Sequence, residues 1–230
     1  MEHWHGRKGP LLLAYLLLRR LEPPIARDAL ATVFWPDASP DAARNRLHVT
    51  LHALRADLQT AAPVPVIQFG GGYRINPDLK VGLDTEQFDA AARTAATARA
   101  LPAALRAYRS AVEQYRGDLL GDFPFEDWTV LPREHYRARR LDLLGRMAQA
   151  AYDSGQYAQT LEIGRQLLAL DFFREDLYRL LMRAHTRMGR PQAAVQQFET
   201  CIDQLRRERG MAPADETVDL YERIRARSPV

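Results

Sequence analysis

The sequence predicts a mainly α-helical protein in two parts: three helices and a β-hairpin, then an all-helical stretch built on a short repeat. Three observations predict it. Residues 7–58 carry apolar residues at helical spacing, broken at Pro23-Pro24 and Pro36-Asp37. Residues 63–75 change to a β-rich texture around Gly70-Gly71-Gly72. From Asp84 onward, helical segments recur with an offset of 34 residues. The domain boundary is placed between residues 81 and 82, giving units 1–81 and 82–230.

The first helix, 7–20, is apolar on much of its circumference and ends in Arg19-Arg20, which suits the negative end of a helix dipole. Glu22-Pro23-Pro24 stops it. A second helix runs from about Ala26 to Trp35, with Leu30, Val33 and Phe34 at helical spacing. Ser39 is an N-cap residue type and Pro40 suits the first helical position, so a third helix opens there and runs to about Leu58. Pro63 to Phe69 is β-rich and Tyr73 to Ile75 is a second short strand, the two joined by the glycines. Helix, helix, helix, hairpin is the order of a winged helix-turn-helix. Beyond it, helices are expected near 84–98, 102–116, 132–153, 156–170, 174–188, 191–209 and 215–227. Gly155 and Gly189, Leu144 and Tyr178, Leu161 and Val195, and Leu168 and Ile202 share the same offset, the tetratricopeptide period. Because about three such repeats are needed to bury a core, the 84–116 pair is assigned as a divergent first one.

Composition excludes several function classes. The chain has 230 residues, 47% of them hydrophobic, which suffices for packed cores. Its longest apolar run, residues 11–18, is too short for a bilayer and is flanked by Arg7, Lys8, Arg19 and Arg20. Arg19-Arg20-Leu21-Glu22 follows where a secretory signal would need a small-residue cleavage site. A single cysteine, Cys201, forms no intrachain disulfide and suits a reducing cytoplasm. Charge is unevenly placed: residues 1–80 hold ten Lys and Arg against seven Asp and Glu, and the remaining 150 residues hold 22 of each. The whole net charge of +3 therefore lies in the first third, as expected if that part meets a polyanion.

The third helix is the informative element. At about 100° per residue, Leu47, Leu51, Leu54 and Leu58 fall on one stripe with Ala43 beside it. The opposite arc carries Asn45, Val49, His52 and Ala56, flanked by Arg44, Arg46 and His48, with acids only at the ends, Asp41 and Asp57. These residue types suit a major groove: Arg pairs with guanine O6 and N7, Asn with adenine N6 and N7, and Val or Ala touches a thymine methyl. Arg55, near the leucines, is placed on a phosphate or inside the fold. Tyr73 and Arg74 follow the glycines at the position of a wing beside the minor groove.

Other chemistries find weaker support. His48 and His52 are four apart on one face, but no third ligand has metal-site spacing, and no metal or cofactor is expected. His3 and His5 are expected to be solvated. The three glycines lack a following Lys-Ser/Thr, so no nucleotide loop is assigned. Cys201 is expected as a small core residue. Asp118, Asp122, Glu126 and Asp127 lie in a stretch with Phe123, Phe125 and Trp128, expected to be a loop whose aromatics pack onto the helices. Arg133, Arg137, Arg139 and Arg140 are expected to form a solvated helix face. No catalytic constellation is visible, and an enzyme is not expected.

A run of residues resembles one family throughout the chain. Arg7-Lys8, the helix ending Leu12 to Leu18, Arg27-Asp28 with Leu30, Phe34-Trp35-Pro36-Asp37, Ala43-Arg44-Asn45 with Leu47, and Leu54-Arg55 come first. Gly71-Gly72-Tyr73-Arg74, Asp84 with Phe88, Tyr115-Arg116-Gly117, Arg174-Glu175, Leu181-Met182, Gly189-Arg190 with Ala193, Leu205, and Gly210 with Pro213 follow in order. Together they are similar to the antibiotic-regulatory-protein (SARP) family of bacterial activators, with a second half like its tetratricopeptide-like bacterial transcriptional activator domain. The resemblance implies an OmpR-type winged helix that binds direct repeats near promoters and recruits RNA polymerase through its sigma factor and alpha subunit. It places DNA contacts on Arg44, Asn45, Arg46, His48, Val49, Thr50, His52 and Arg55, with Tyr73 and Arg74 in the wing. Repeats near one helical turn apart would seat two protomers side by side on double-stranded DNA. Family members ordinarily begin with a small antiparallel sheet, whereas only Met1 to Gly6 precede the first helix here, so that sheet is expected to be missing. The alternative reading is a repeat scaffold that binds a protein or signalling ligand in a helical groove, with a degenerate first domain.

Overall fold

The structure, a computed structural model, describes residues 4, 6–58, 63–98 and 100–230, and for residue 209 the backbone only. His3 and His5 lie outside the described residues. The chain divides into two compact units, Met1–Val81 and Gly82–Val230.

The first unit runs α1 (Lys8–Leu18), β1 (Ile25–Ala26), α2 (Arg27–Phe34), α3 (Pro40–Asp57), β2 (Val66–Phe69) and β3 (Gly72–Ile75). It is a winged helix. No strand precedes α1 among the described residues. The core joins Leu11, Leu12 and Leu16 of α1 to Leu30 and Phe34 of α2, to Leu47, Leu51 and Leu54 of α3, and to Val66 and Ile75 of the sheet. Tyr15 meets Phe34 edge-on, with ring centroids 5.6 Å apart. Arg19 lies just past α1, its guanidinium 4.0 Å from the centre of the Tyr15 ring.

The three strands form an antiparallel sheet in the order β1-β3-β2, so the hairpin gains a third member that the sequence does not announce. Two residues are too few to show a period. Pro23 and Pro24 hold the approach extended, and Ile25 and Ala26 pair with Tyr73 and Gly72. Gly72 is what admits them: a Cβ there would stand 2.5 Å from the Ile25 carbonyl oxygen. The hairpin turn itself is Gly70-Gly71, both with positive φ, the two-residue loop whose twist matches that of the strands.

The second unit is all helical: α4 (Asp84–Thr97), α5 (Leu101–Gln114), α6 (Asp127–Asp153), α7 (Tyr157–Leu170), α8 (Glu175–Arg187), α9 (Pro191–Arg209) and α10 (Asp215–Arg225). Successive helices pack as pairs, α4 on α5, α6 on α7 and α8 on α9, with α10 against α8 and α9. The expected period is built into the turns. The Gln156 N–H reaches the Ala151 carbonyl at 2.9 Å, and 34 residues on, the Arg190 N–H reaches the His185 carbonyl at the same distance. Both turns pass through a left-handed glycine, Gly155 (φ +73) and Gly189 (φ +70). Gly164 lets α8 approach α7, since a Cβ there would stand 2.3 Å from Leu181 Cδ2.

One helix boundary differs from expectation. A start near residue 132 is expected, yet α6 begins at Asp127 and carries Pro132 in its second turn. The core of this unit runs from Phe88, Leu105 and Tyr108 through Leu143, Leu144 and Met147 to Leu167, Leu177 and Leu180. It continues as a cluster of Met182, Phe198, Leu220 and Ile224. Cys201 is fully buried beside Tyr178 and Leu205, and burial pushes its thiol up to about 12. Among the described residues no helix is long and apolar enough to cross a membrane.

Two outcomes follow from these contacts. Gly72→Ala will force β1 off β3 and destabilise the first unit by about 1–3 kcal/mol, seen as a lower urea midpoint and faster hydrogen exchange in β1 and β3. Cys201 will resist alkylation at pH 8 in the native protein and react only once denaturant opens the second unit.

Candidate nucleic-acid interface

The helix-turn-helix is α2, the turn from Trp35 to Ser39, and α3. Ser39 stands at the N-cap with Pro40 in the first turn, as expected, but its hydroxyl makes no capping bond. Its carbonyl instead accepts the Ala43 N–H at 2.8 Å. The leucine stripe is buried as its spacing requires: Ala43, Leu47, Leu51 and Leu54 all face the core, while Leu58 caps the helix half-buried. Asn45, Arg46, His48, Val49, His52 and Ala56 are consequently exposed, Val49 at 59%. Thr50 and Arg55 lie at the margins, half-buried. Between Asp41 and Asp57 the helix carries no acid, so its outer face offers one exposed guanidinium, one amide, two imidazoles and two small apolar groups.

Arg44 differs from its neighbours. Its Nε and Nη2 donate to the two carboxylate oxygens of Asp28 at 2.8 and 3.0 Å, and Nη1 donates to Asp41 at 3.1 Å. This two-point fork ties the start of α2 to the second turn of α3. Hydrogen bonding to Arg44 holds the Asp28 carboxyl below the usual carboxylate range, and the same bond raises Arg44. The structure therefore places Arg44, still partly exposed, in the contact between the two helices, where it sets their angle.

The hairpin separates its two expected residues. Tyr73 is buried, only 7% exposed, opposite Ile25 and Gln68 on the inner face. The expectation that its ring lies on the wing surface is corrected: alternation along β3 turns Tyr73 to the same inner face as Ile75 and leaves Arg74 on the other. Arg74, opposite Ile67, is half-buried, and its Nε has neither solvent nor a hydrogen-bond partner. The exposed wing residues are Gln68, Phe69, Gly70 and Gly71, with Phe69 at 62%. Phe69 was not anticipated; its place immediately before the two-residue turn was the available signal.

In the second unit the expected solvated arginine face is corrected at three of four positions. Arg133 is turned inward, donating to the carbonyls of Leu119, Leu120, Phe123 and Pro124 and to the Thr129 hydroxyl. Arg139 pairs with Asp89 at 2.7 Å, linking α6 to α4. Arg140 lies 4.7 Å from the centre of the Tyr115 ring. Arg137 alone of the four is exposed, 3.9 Å from Glu134. The stretch before α6 is corrected too: Trp128 belongs to the helix and Phe125 is 92% exposed. Among the described residues no three His, Cys, Asp or Glu side chains gather as a metal site.

Known proteins match this architecture. Residues 83–225 fit the family model described as the bacterial transcriptional activator domain. The transcriptional regulatory protein MoaR1 of Mycobacterium bovis is 27% identical over 238 residues, covering 98% of this chain and 76% of that protein. MoaR1 of Mycobacterium tuberculosis matches to the same extent. Among solved structures, Mycobacterium tuberculosis EmbR in complex with a low affinity phosphopeptide superposes with a TM-score of 0.77 at 21% identity, which speaks to the fold alone. That match covers 98% of this chain but 61% of EmbR.

The fork between α2 and α3 has a measurable signature. Because the folded Asp28 pKa is depressed, its contribution to stability is present at neutral pH and lost as pH falls through the folded value. Carboxyl-detected NMR will show Asp28 titrating below about 3.9, and Arg44→Gln will return the midpoint toward that value. An unchanged midpoint in the variant would mean that the fork is absent in solution.

Proposed function

We propose, from the premise that this chain belongs to the bacterial transcriptional activator domain family, that it is a sequence-specific regulator that binds double-stranded DNA through α3 and activates transcription by recruiting RNA polymerase. Relatives of this kind are transcriptional regulators rather than enzymes. One observation carries the reading: the arc of α3 opposite its buried leucines is exposed, rich in groups that pair with base edges, and free of acids between Asp41 and Asp57.

In this reading Arg46, Asn45, His48, Val49 and His52 enter the major groove, Thr50 and Arg55 meet the backbone at its margins, and Arg44 holds the helix at its angle. Arg74 and Phe69 lie at the wing, beside the adjacent minor groove. The protein works in the cytoplasm on the nucleoid, two protomers sharing direct repeats near a promoter. A second reading, a helical module that binds a protein or ligand, draws on an open cleft between α6 and α8 lined by Arg146, Arg174, Arg179 and Arg183. The two differ in their response to salt.

Selection of bound sites from random duplexes, followed by titration, tests the proposal. Affinity for the selected site will fall steeply as salt rises. Arg46→Ala will weaken it about tenfold or more and relax preference at one base pair, whereas Tyr73→Phe will leave it unchanged. Absence of duplex binding at low ionic strength would hand the chain to the second reading.

A further inference from the structure

The second unit holds a cavity of about 350 Å³ where the first turn of α4, the end of α5 and the loop after it meet α6. That volume falls in the range of about 300–1,000 Å³ in which proteins hold small molecules. Three rings wall it. Phe88, only 2% exposed, meets Tyr115 and Tyr136 edge-on, each with ring centroids 5.9 Å apart. Leu119 and Leu120 complete the apolar lining. Burial pushes the Tyr115 hydroxyl up to about 12 and raises Tyr136 as well, so both rings stay neutral.

The wall is built into the fold. The Tyr115 hydroxyl donates to Asp118 at 2.8 Å, and the Arg133 guanidinium donates to the carbonyls of Leu119 at 3.0 Å and Leu120 at 3.2 Å. These bonds keep Leu120 in a left-handed conformation (φ 52) that its side chain disfavours. Among the described residues Arg227 is the one other non-glycine residue so placed, and it lies near the end of the chain. A residue held under strain at the wall of a cavity is the pattern of a preorganised ligand site.

Charge at the rim is mixed. Asp84, Asp118 and Arg116 line it, and the Arg140 guanidinium lies 4.7 Å from the centre of the Tyr115 ring. Arg137 and Arg139, also on α6, are paired with Glu134 and Asp89. Two acids and two guanidiniums select neither an anion nor a cation. The remaining polar group is the Gln114 side-chain amide, which lines the cavity and makes no hydrogen bond to another described residue. A primary amide carries donors and an acceptor side by side, and a ligand edge with the same groups in reverse order satisfies both.

We propose that this cavity binds a small, uncharged, flat ring compound with an amide-like edge. The ring packs against Phe88, Tyr115 and Tyr136, and the edge pairs with Gln114. The site belongs to the second unit alone, so it stands whether or not α3 binds DNA.

The experiment uses the full chain, with benzamide as the probe and benzoate and benzylamine as charged comparators. Benzamide will bind saturably in the millimolar range, shifting the NMR resonances of the Gln114 side-chain amide and of the Tyr115 and Tyr136 rings. Both comparators will bind more weakly. Gln114→Leu, close in volume, will weaken benzamide about fivefold or more and leave the melting temperature unchanged. Leu120→Gly will weaken it too, while the melting temperature holds or rises, because glycine accepts the left-handed backbone. The proposal is overturned if benzamide does not saturate, if either comparator binds as tightly, or if either variant binds benzamide as the parent does.

Discussion

Burial of Leu47, Leu51 and Leu54 is the constraint on which the first unit rests. These side chains are at most 2% exposed, and each fully buried leucine contributes about 1.5–3 kcal/mol of hydrophobic stabilisation. A helix that commits one stripe to a core has no freedom left in its rotation. The outward direction of Arg46, His48, Val49 and His52 is therefore a geometric result of where the leucines stand. The fork from Arg44 to Asp28 then fixes the remaining variable, the tilt of α3 against α2. Core packing and ion pairing thus act on different degrees of freedom of the same element.

The second unit handles its arginines in a way that formal charge conceals. Arg133 serves four carbonyls, Arg139 an aspartate on another helix, and Arg140 an aromatic face. Each guanidinium supplies several donors in a fixed plane, which suits it to holding irregular backbone together. The balanced charge of this unit therefore conceals several internal engagements.

What the sequence made legible follows from what leaves a period. The α3 stripe spans several turns, so its buried and exposed residues were assigned correctly, as were the hairpin and the 34-residue offset. Strand β1 escaped because two residues have no period, and Tyr73 was placed outside although it shares the inner face of β3 with Ile75. The start of α6 was misplaced because a proline fits the first turn of a helix best, and here it is absorbed further in. The roles of Arg44 and Arg133 depend on partners 16 and up to 14 residues away, and residue type alone does not distinguish such pairing from solvation.

The twin turns at Gly155 and Gly189 bear on how such a chain can change length. Because the same backbone bond closes both, α7 leaves α6 and α9 leaves α8 through the same joint. Duplication of one whole unit would extend the stack without inventing a new joint, whereas loss of a few residues inside a unit would turn everything downstream out of step. Growth of this architecture is therefore quantised in whole helical pairs.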